Sequence, residues 1–181
     1  MTTALRWNVP PSPAPLPVDP IAEATRLWRE HGWHDAAPGM AAVTSLMRAQ
    51  QIALRQVEAT LKPFGVTFAR YEVLMLLLFS HSPSLPMSVI GTRLQVHPTS
   101  VTNAVDRLQQ AGLVRRGANK ADRRTTLVAL TAAGRDIARR ATERLNADVF
   151  TAPGLSATDA GRLVTVLTRM RRDAGDFEVS R

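Results

Sequence analysis

Between residues 86 and 131 the spacing of apolar residues changes period, and this change restricts the fold more than any other feature of the chain. Pro86 to about Leu94 reads as a short helix, Gln95-Val96-His97 as a tight turn, and a second helix is opened by Pro98 and closed by Gly112. In the second helix Val101, Ala104, Val105 and Leu108 recur at three- and four-residue spacing, which places them on one buried stripe. The period then drops to two. Leu113 to Arg116 is one strand, GANKAD a polar loop, and Thr125 to Leu130 a second strand whose Thr126, Val128 and Leu130 turn to one face.

The charge distribution overlaps this segment. The chain carries +8 overall, and residues 93–144 hold eleven basic against four acidic residues, so nearly all the excess sits in this segment. A concentrated basic segment implies a polyanionic partner, either nucleic acid or an anionic membrane surface.

Helices surround this segment. With 181 residues the chain forms one compact domain, or a small domain with appended helices. Residues 8–20 contain six of the twelve prolines and read as an extended, draped or disordered arm. A helix follows from Ile21 to about Trp33, with Asp19 as its cap and Pro20 at its first position. After the breaker Ala37-Pro38-Gly39, a longer amphipathic helix runs from Met40 to Leu61 and is stopped by Pro63 and Gly65. Thr67 caps a helix from Phe68 to Phe79 whose run Val73–Phe79 is apolar on every side, as expected of a central core helix. Thr131 caps a helix to about Val149. Ser156 and Asp159 form a capping box for the last helix, lined by Leu163, Val166, Leu167 and Met170.

The order helix, turn, helix, basic hairpin is that of a winged helix-turn-helix. The second helix leaves Thr99, Ser100, Asn103, Asp106, Arg107 and Gln110 facing outward, side chains able to read base edges or hold phosphates. The hairpin adds Arg115, Arg116, Lys120, Arg123 and Arg124, with Asp122 as the one acid among them, an arrangement suited to phosphates or to a narrow minor groove. Asp122 is placed to accept a hydrogen bond from Arg124 and fix its direction.

Other classes fall away. There is no cysteine, which excludes disulfides, cysteine-ligated metals and thiol catalysis. The longest apolar run, Val73–Phe79, is about a third of a membrane span, and the N-terminus lacks the pattern of a secretory signal, so a cytoplasmic protein is expected. No nucleophile motif, phosphate loop or paired catalytic carboxylates point to an enzyme, and no cofactor is implied.

The stretch from Asp122 to Thr131 with Ala132-Ala133-Gly134-Arg135, together with SVTNAVDRLQQAGLVRR before it, resembles the wing and recognition helix of the MarR family of bacterial transcription regulators. Element order and spacing are similar from about Met40 to Met170, with residues 1–39 as an N-terminal extension. The resemblance implies a mainly α fold with a small β-hairpin wing. It divides the chain into a Pro-rich arm (1–20), an extension helix (21–39), dimerisation helices (40–66 and 132–181) and a winged helix-turn-helix lobe (67–131).

It further implies a homodimeric repressor on a pseudopalindromic operator. Pro98, Thr99, Ser100, Thr102, Asn103 and Arg107 would meet the major groove, and Arg124, oriented by Asp122, the minor groove. The apolar faces of the helices at 40–61, 132–149 and 157–172 independently ask for a partner subunit.

Many members of the family are released by small aromatic or phenolic anions, for which Trp28, Arg48, Arg70, Tyr71 and Glu72, with Trp33, are the candidate pocket residues. Urate-responsive members use a Trp, an acid and an Arg. Trp28 and Glu72 match the first two, but Ala104 stands where the Arg is needed, which disfavours urate. Two other readings stay open, a nonspecific architectural DNA binder and a ligand- or metal-binding protein with a vestigial wing. Glu30, His31, His34 and Asp35 are the residues a metal would use.

Overall fold

In the computed structural model, residues 16–119, 122 and 124–178 are described. Seven helices and a three-stranded sheet follow one another along them. Helix α1 spans Pro20–Glu30, with the Asp19 carboxylate accepting from the N–H of Ile21 at 2.9 Å. It ends before the expected Trp33, because Gly32 turns the backbone to a φ of +83°. Helix α2 spans Ala37–Leu61. The expected breaker Ala37-Pro38-Gly39 is therefore its first turn, where a proline loses no hydrogen bond and its fixed φ is already helical.

A 3-10 turn over Lys62–Phe64 and Gly65 at φ +69° end α2. Helix α3, Phe68–Phe79, starts where expected, its N-terminus capped twice: the Thr67 hydroxyl accepts from Arg70 N, and the Glu58 carboxylate accepts from Phe68 N at 2.8 Å. Val73, Leu74 and Leu77 are buried as expected, but Phe79 is 73% exposed, so the run is not enclosed on every side. Helix α4 is Met87–Leu94 and helix α5 is Pro98–Gln110.

The hairpin is β2, Val114–Ala118, paired antiparallel with β3, Thr126–Leu130. A two-residue strand β1, Leu85–Pro86, adds to the outer side of β3, giving the order β1-β3-β2. The sequence pattern missed it because two residues carry no period. Its proline is tolerated at an edge.

Helix α6, Ala132–Leu145, continues through a π-helical turn, Asn146–Phe150, and helix α7 spans Ala157–Asp173. Leu61, Leu74, Ile90, Leu108 and Leu145 are fully enclosed in one core drawn from α2 to α6 and the sheet. Burying each contributes about 1.5–3 kcal/mol. The Tyr71 hydroxyl, at 2.8 Å from that of Thr142, ties α3 to α6 inside that core. No residue of α7 is buried, and no described helix is long and apolar enough to cross a membrane.

Candidate nucleic-acid interface

Helix α5 is anchored by Val101, Val105 and Leu108, each at most 2% exposed, with Ala104 partly covered beside them. Fixing this stripe turns Thr99, Ser100, Thr102, Asn103 and Arg107 outward, and all five are exposed. The helix start is held by His97, whose ring Nδ1 accepts from Thr99 N at 3.3 Å, and by Pro98, also exposed. The Thr102 hydroxyl donates back to the Pro98 carbonyl at 3.0 Å, which leaves its lone pairs available. Arg107 reaches the side-chain oxygen of Gln110 at 3.3 Å.

The wing stands beside this face. Arg115, Asp122 and Arg124 are exposed. Lys120 and Arg123, also expected to contribute cations, lie outside the described residues. Asp122 does orient its neighbourhood, but not through the Arg124 guanidinium: one oxygen accepts from Arg124 N at 3.0 Å and the other from the Thr125 hydroxyl at 2.7 Å. These two hydrogen bonds, the hydroxyl's first, hold the Asp122 carboxyl below the usual carboxylate range. Arg116 is set apart from the other cations: it is half-buried, with Nη1 at 2.5 Å from Asp106 Oδ1.

The wing's base is fixed by Thr131, the expected helix cap, through contacts with Gly112 and Leu113 that the sequence does not show. Thr131 N donates to Leu113 O at 3.1 Å, its hydroxyl donates to Gly112 O at 2.7 Å, and the same hydroxyl accepts from Gly134 N at 3.0 Å. One threonine therefore joins the end of α5, the hairpin and the start of α6.

Between the start of α3 and the outer face of α5 lies an open cleft of about 580 Å³, walled by Arg70, Ser100, Asn103 and Arg107. The candidate pocket residues are not brought together around it. Arg70 lines it, Tyr71 is buried against Thr142, and Glu72 is half-buried, its carboxyl pushed upward by desolvation. Trp28 packs edge-on against Trp33 at 5.2 Å between centroids, and Arg48 is exposed on α2. Among the described residues no group of three or more His, Asp and Glu side chains is placed to hold a metal. The His31 ring instead meets the Leu27 carbonyl at 2.9 Å.

Comparison with known proteins agrees with this geometry. Residues 64–125 match the model of the MarR family. The chain is 32% identical over 96 residues to the HTH-type transcriptional repressor Rv2887 of Mycobacterium tuberculosis, spanning 53% of this chain and 68% of the relative. Among solved structures, Sco5413, a MarR family transcriptional regulator from Streptomyces coelicolor, is 51% identical, with 78% of this chain and 99% of that one covered and a TM-score of 0.72. CouR from Rhodococcus jostii RHA1, solved with p-coumaroyl-CoA bound, is 26% identical over 75% of this chain and 92% of its own, with a TM-score of 0.61. An exposed polar recognition helix, a hairpin wing and a relative matched over nearly its whole length lead to one assignment: the chain is a DNA-binding transcriptional regulator of the MarR family.

Proposed function

We propose that the protein is a dimeric, sequence-specific repressor that binds a pseudopalindromic operator. The observation that carries this reading is the pairing of two unlike surfaces on one lobe. The outer face of α5 offers Ser100, Asn103 and Arg107, groups that distinguish base edges, while the hairpin offers Arg115 and Arg124, groups that follow phosphates or a narrow minor groove. A nonspecific binder needs only the second. Repression is supported by the similarity to the Mycobacterium tuberculosis repressor. Dimerisation is supported by the apolar side chains that α2 and α7 leave in water, Val43, Met47, Leu163, Val166 and Met170.

Release by a small aromatic anion is the matching regulatory reading. The α3–α5 cleft has Arg70 and Arg107 on its walls, and an anion held there would occupy the same face of α5 that meets DNA. CouR, solved with p-coumaroyl-CoA bound, is a relative whose much larger ligand shares the aromatic group and the negative charge.

The test is selection of bound duplexes from a random library by the purified protein at near-physiological salt, where unspecific phosphate attraction is weakened. An inverted repeat with half-sites about one helical turn apart is expected. A folded dimer that enriches no motif overturns the reading in favour of architectural binding.

A further inference from the structure

Arg116 sits in a strongly basic hairpin and reads at first as one more phosphate contact, but the register of the sheet turns it elsewhere. Directly paired residues on neighbouring strands share a face. Val114 pairs with Leu130 and Arg116 with Val128. Val114 and Val128 are buried, at 2% and 0% exposure, so Arg116 lies on the hairpin face that covers the core. Arg115, one residue earlier, lies on the opposite face and is exposed.

From that inner face the guanidinium reaches α5, where Nη1 meets Asp106 Oδ1 at 2.5 Å. Its Nε is enclosed and has no hydrogen-bond partner among the described residues. A guanidinium held partly dry in this way depends on the Asp106 carboxylate more than a surface cation depends on its partner. Asp106 in turn is an acid on the recognition helix, beside a face that meets a polyanion.

We propose that Asp106 and Arg116 are positioning residues that set the angle between the recognition helix and the wing, and with it the register of the major- and minor-groove contacts within one half-site. The proposal rests on the specific-repressor reading above. A recognition helix and a wing that move independently can each still touch DNA. What they lose is the ability to engage one sequence simultaneously, so the pair acts on specificity more than on general attraction.

The experiment measures affinity, at fixed salt, for a duplex enriched by the wild-type protein and for its scrambled counterpart. The variants are Asp106→Asn, Arg116→Gln and the exchange Asp106→Arg with Arg116→Asp, each first checked for folding by thermal melting. Each single variant is expected to bind the enriched duplex about tenfold more weakly and the scrambled one within about twofold of wild type, with the exchange recovering most of the loss. The direction for Asp106→Asn is decisive, because simple electrostatics predicts the reverse. Removing a carboxylate near phosphates should tighten binding to both duplexes, and that result overturns the proposal. So does an Arg116→Gln variant that weakens both duplexes equally with a shallower salt dependence, which makes Arg116 a phosphate contact.

A second readout needs no DNA. The chain has no cysteine, so spin labels at Gln109→Cys and Ala118→Cys report the α5 to β2 distance without background. A narrow distribution that broadens in Asp106→Asn and narrows again in the exchange supports the hinge-setting role, and an unchanged width overturns it. If the wild-type protein enriches no duplex, the repressor reading fails by itself while the labels still report on the pair.

Discussion

Asp122 holds Arg124 by its main chain, not by its guanidinium: the Asp122 carboxylate accepts the Arg124 N–H at 3.0 Å and the Thr125 hydroxyl at 2.7 Å. The carboxylate therefore shapes the turn that presents Arg124, through the main-chain N–H and not through the side chain. Replacing Asp122 by Ala is expected to weaken operator binding about tenfold with little change in melting temperature, because the loss is of turn geometry at an exposed site. The sign of the pH effect follows from the lowered carboxyl. Its stabilisation of the turn is fully present above the ordinary carboxylate value of 3.8, and is lost as pH falls through the lower folded value. Amide exchange at Arg124 followed from pH 6 to pH 3 checks this: protection is expected to hold to about pH 4 and then fall in the wild type, and to be weak throughout in Asp122→Ala.

Gly134 makes a different kind of demand. A Cβ built there would stand 1.9 Å from the Leu113 carbonyl oxygen, a main-chain atom that also accepts from Thr131 N. Neither group can step aside without opening the base of the wing. Gly134→Ala is expected to destabilise the protein by about 1–3 kcal/mol despite alanine's better helix propensity. Gly39, in the first turn of α2, has nothing within 4 Å of its Cβ position, and Gly39→Ala is expected to be neutral or slightly stabilising. Denaturant midpoints of the two variants decide the matter, and equal midpoints would show that the Leu113 contact relaxes at no cost.

These two sites mark what the sequence made legible. Caps and breakers are local chemistry, so Asp19, Thr67, Thr131 and Ser156 each start a helix as expected, and the stripe on α5 follows from its period. The start of α2 was misplaced because Pro38 and Gly39 read alike as a breaker and as a first turn. The partner of Arg116 was within reach: the alternation of Thr126, Val128 and Leu130 fixes a face, and the hairpin register carries that face across to Arg116. The cleft was not within reach, because Arg70 and Arg107 meet only through the packing of α3 against α5. No spacing within either helix encodes that approach.

Arg124 and Asn103 are expected to separate affinity from sequence choice. Arg124→Ala removes a cation from an exposed wing and should lower operator affinity strongly, with the dimer still folded and the dependence on salt shallower by about one unit of slope. Asn103→Ala should change the enriched sequence at one position of each half-site, at about 1–3 kcal/mol of lost discrimination. Titrations against the enriched duplex and its single-base variants measure both. Equal affinity for Arg124→Ala and wild type would remove the wing from the mechanism, and an unchanged motif for Asn103→Ala would reduce that residue to a helix-positioning role.

Glu72 bears on stability in the opposite sense to Asp122. It is half-buried on α3, and desolvation raises its carboxyl above the ordinary value of 4.5. The folded state then favours the protonated form. Its contribution is present below the unfolded value and is lost as pH rises through the raised folded value, leaving a charge that opposes folding at neutrality. Glu72→Gln is therefore expected to raise the melting temperature at pH 7.5, with the gain shrinking toward zero near pH 4. Melting curves across that range test it, and a gain independent of pH would assign the effect to packing.

The apolar face of α7 is an extended unsatisfied surface among the described residues. Leu163, Val166 and Met170 recur at three- and four-residue spacing and are 45%, 51% and 53% exposed. On α2, Val43 and Met47 stand one turn apart at 48% and 60%. A second copy of the chain is the occupant that the operator reading requires, since an inverted repeat is met by a two-fold dimer. Val166→Asp places a carboxylate in the middle of the α7 face, where burial against a partner would leave it without a counter-charge. Wild-type protein is expected to sediment at about twice the chain mass of 19.8 kDa, and the variant to shift toward the single mass while keeping its helical content. Operator affinity should fall with it, because a monomer holds one half-site alone. If the wild type and Val166→Asp both sediment at twice the chain mass, α7 lies outside the interface, and a wild type at the single mass overturns the dimeric reading.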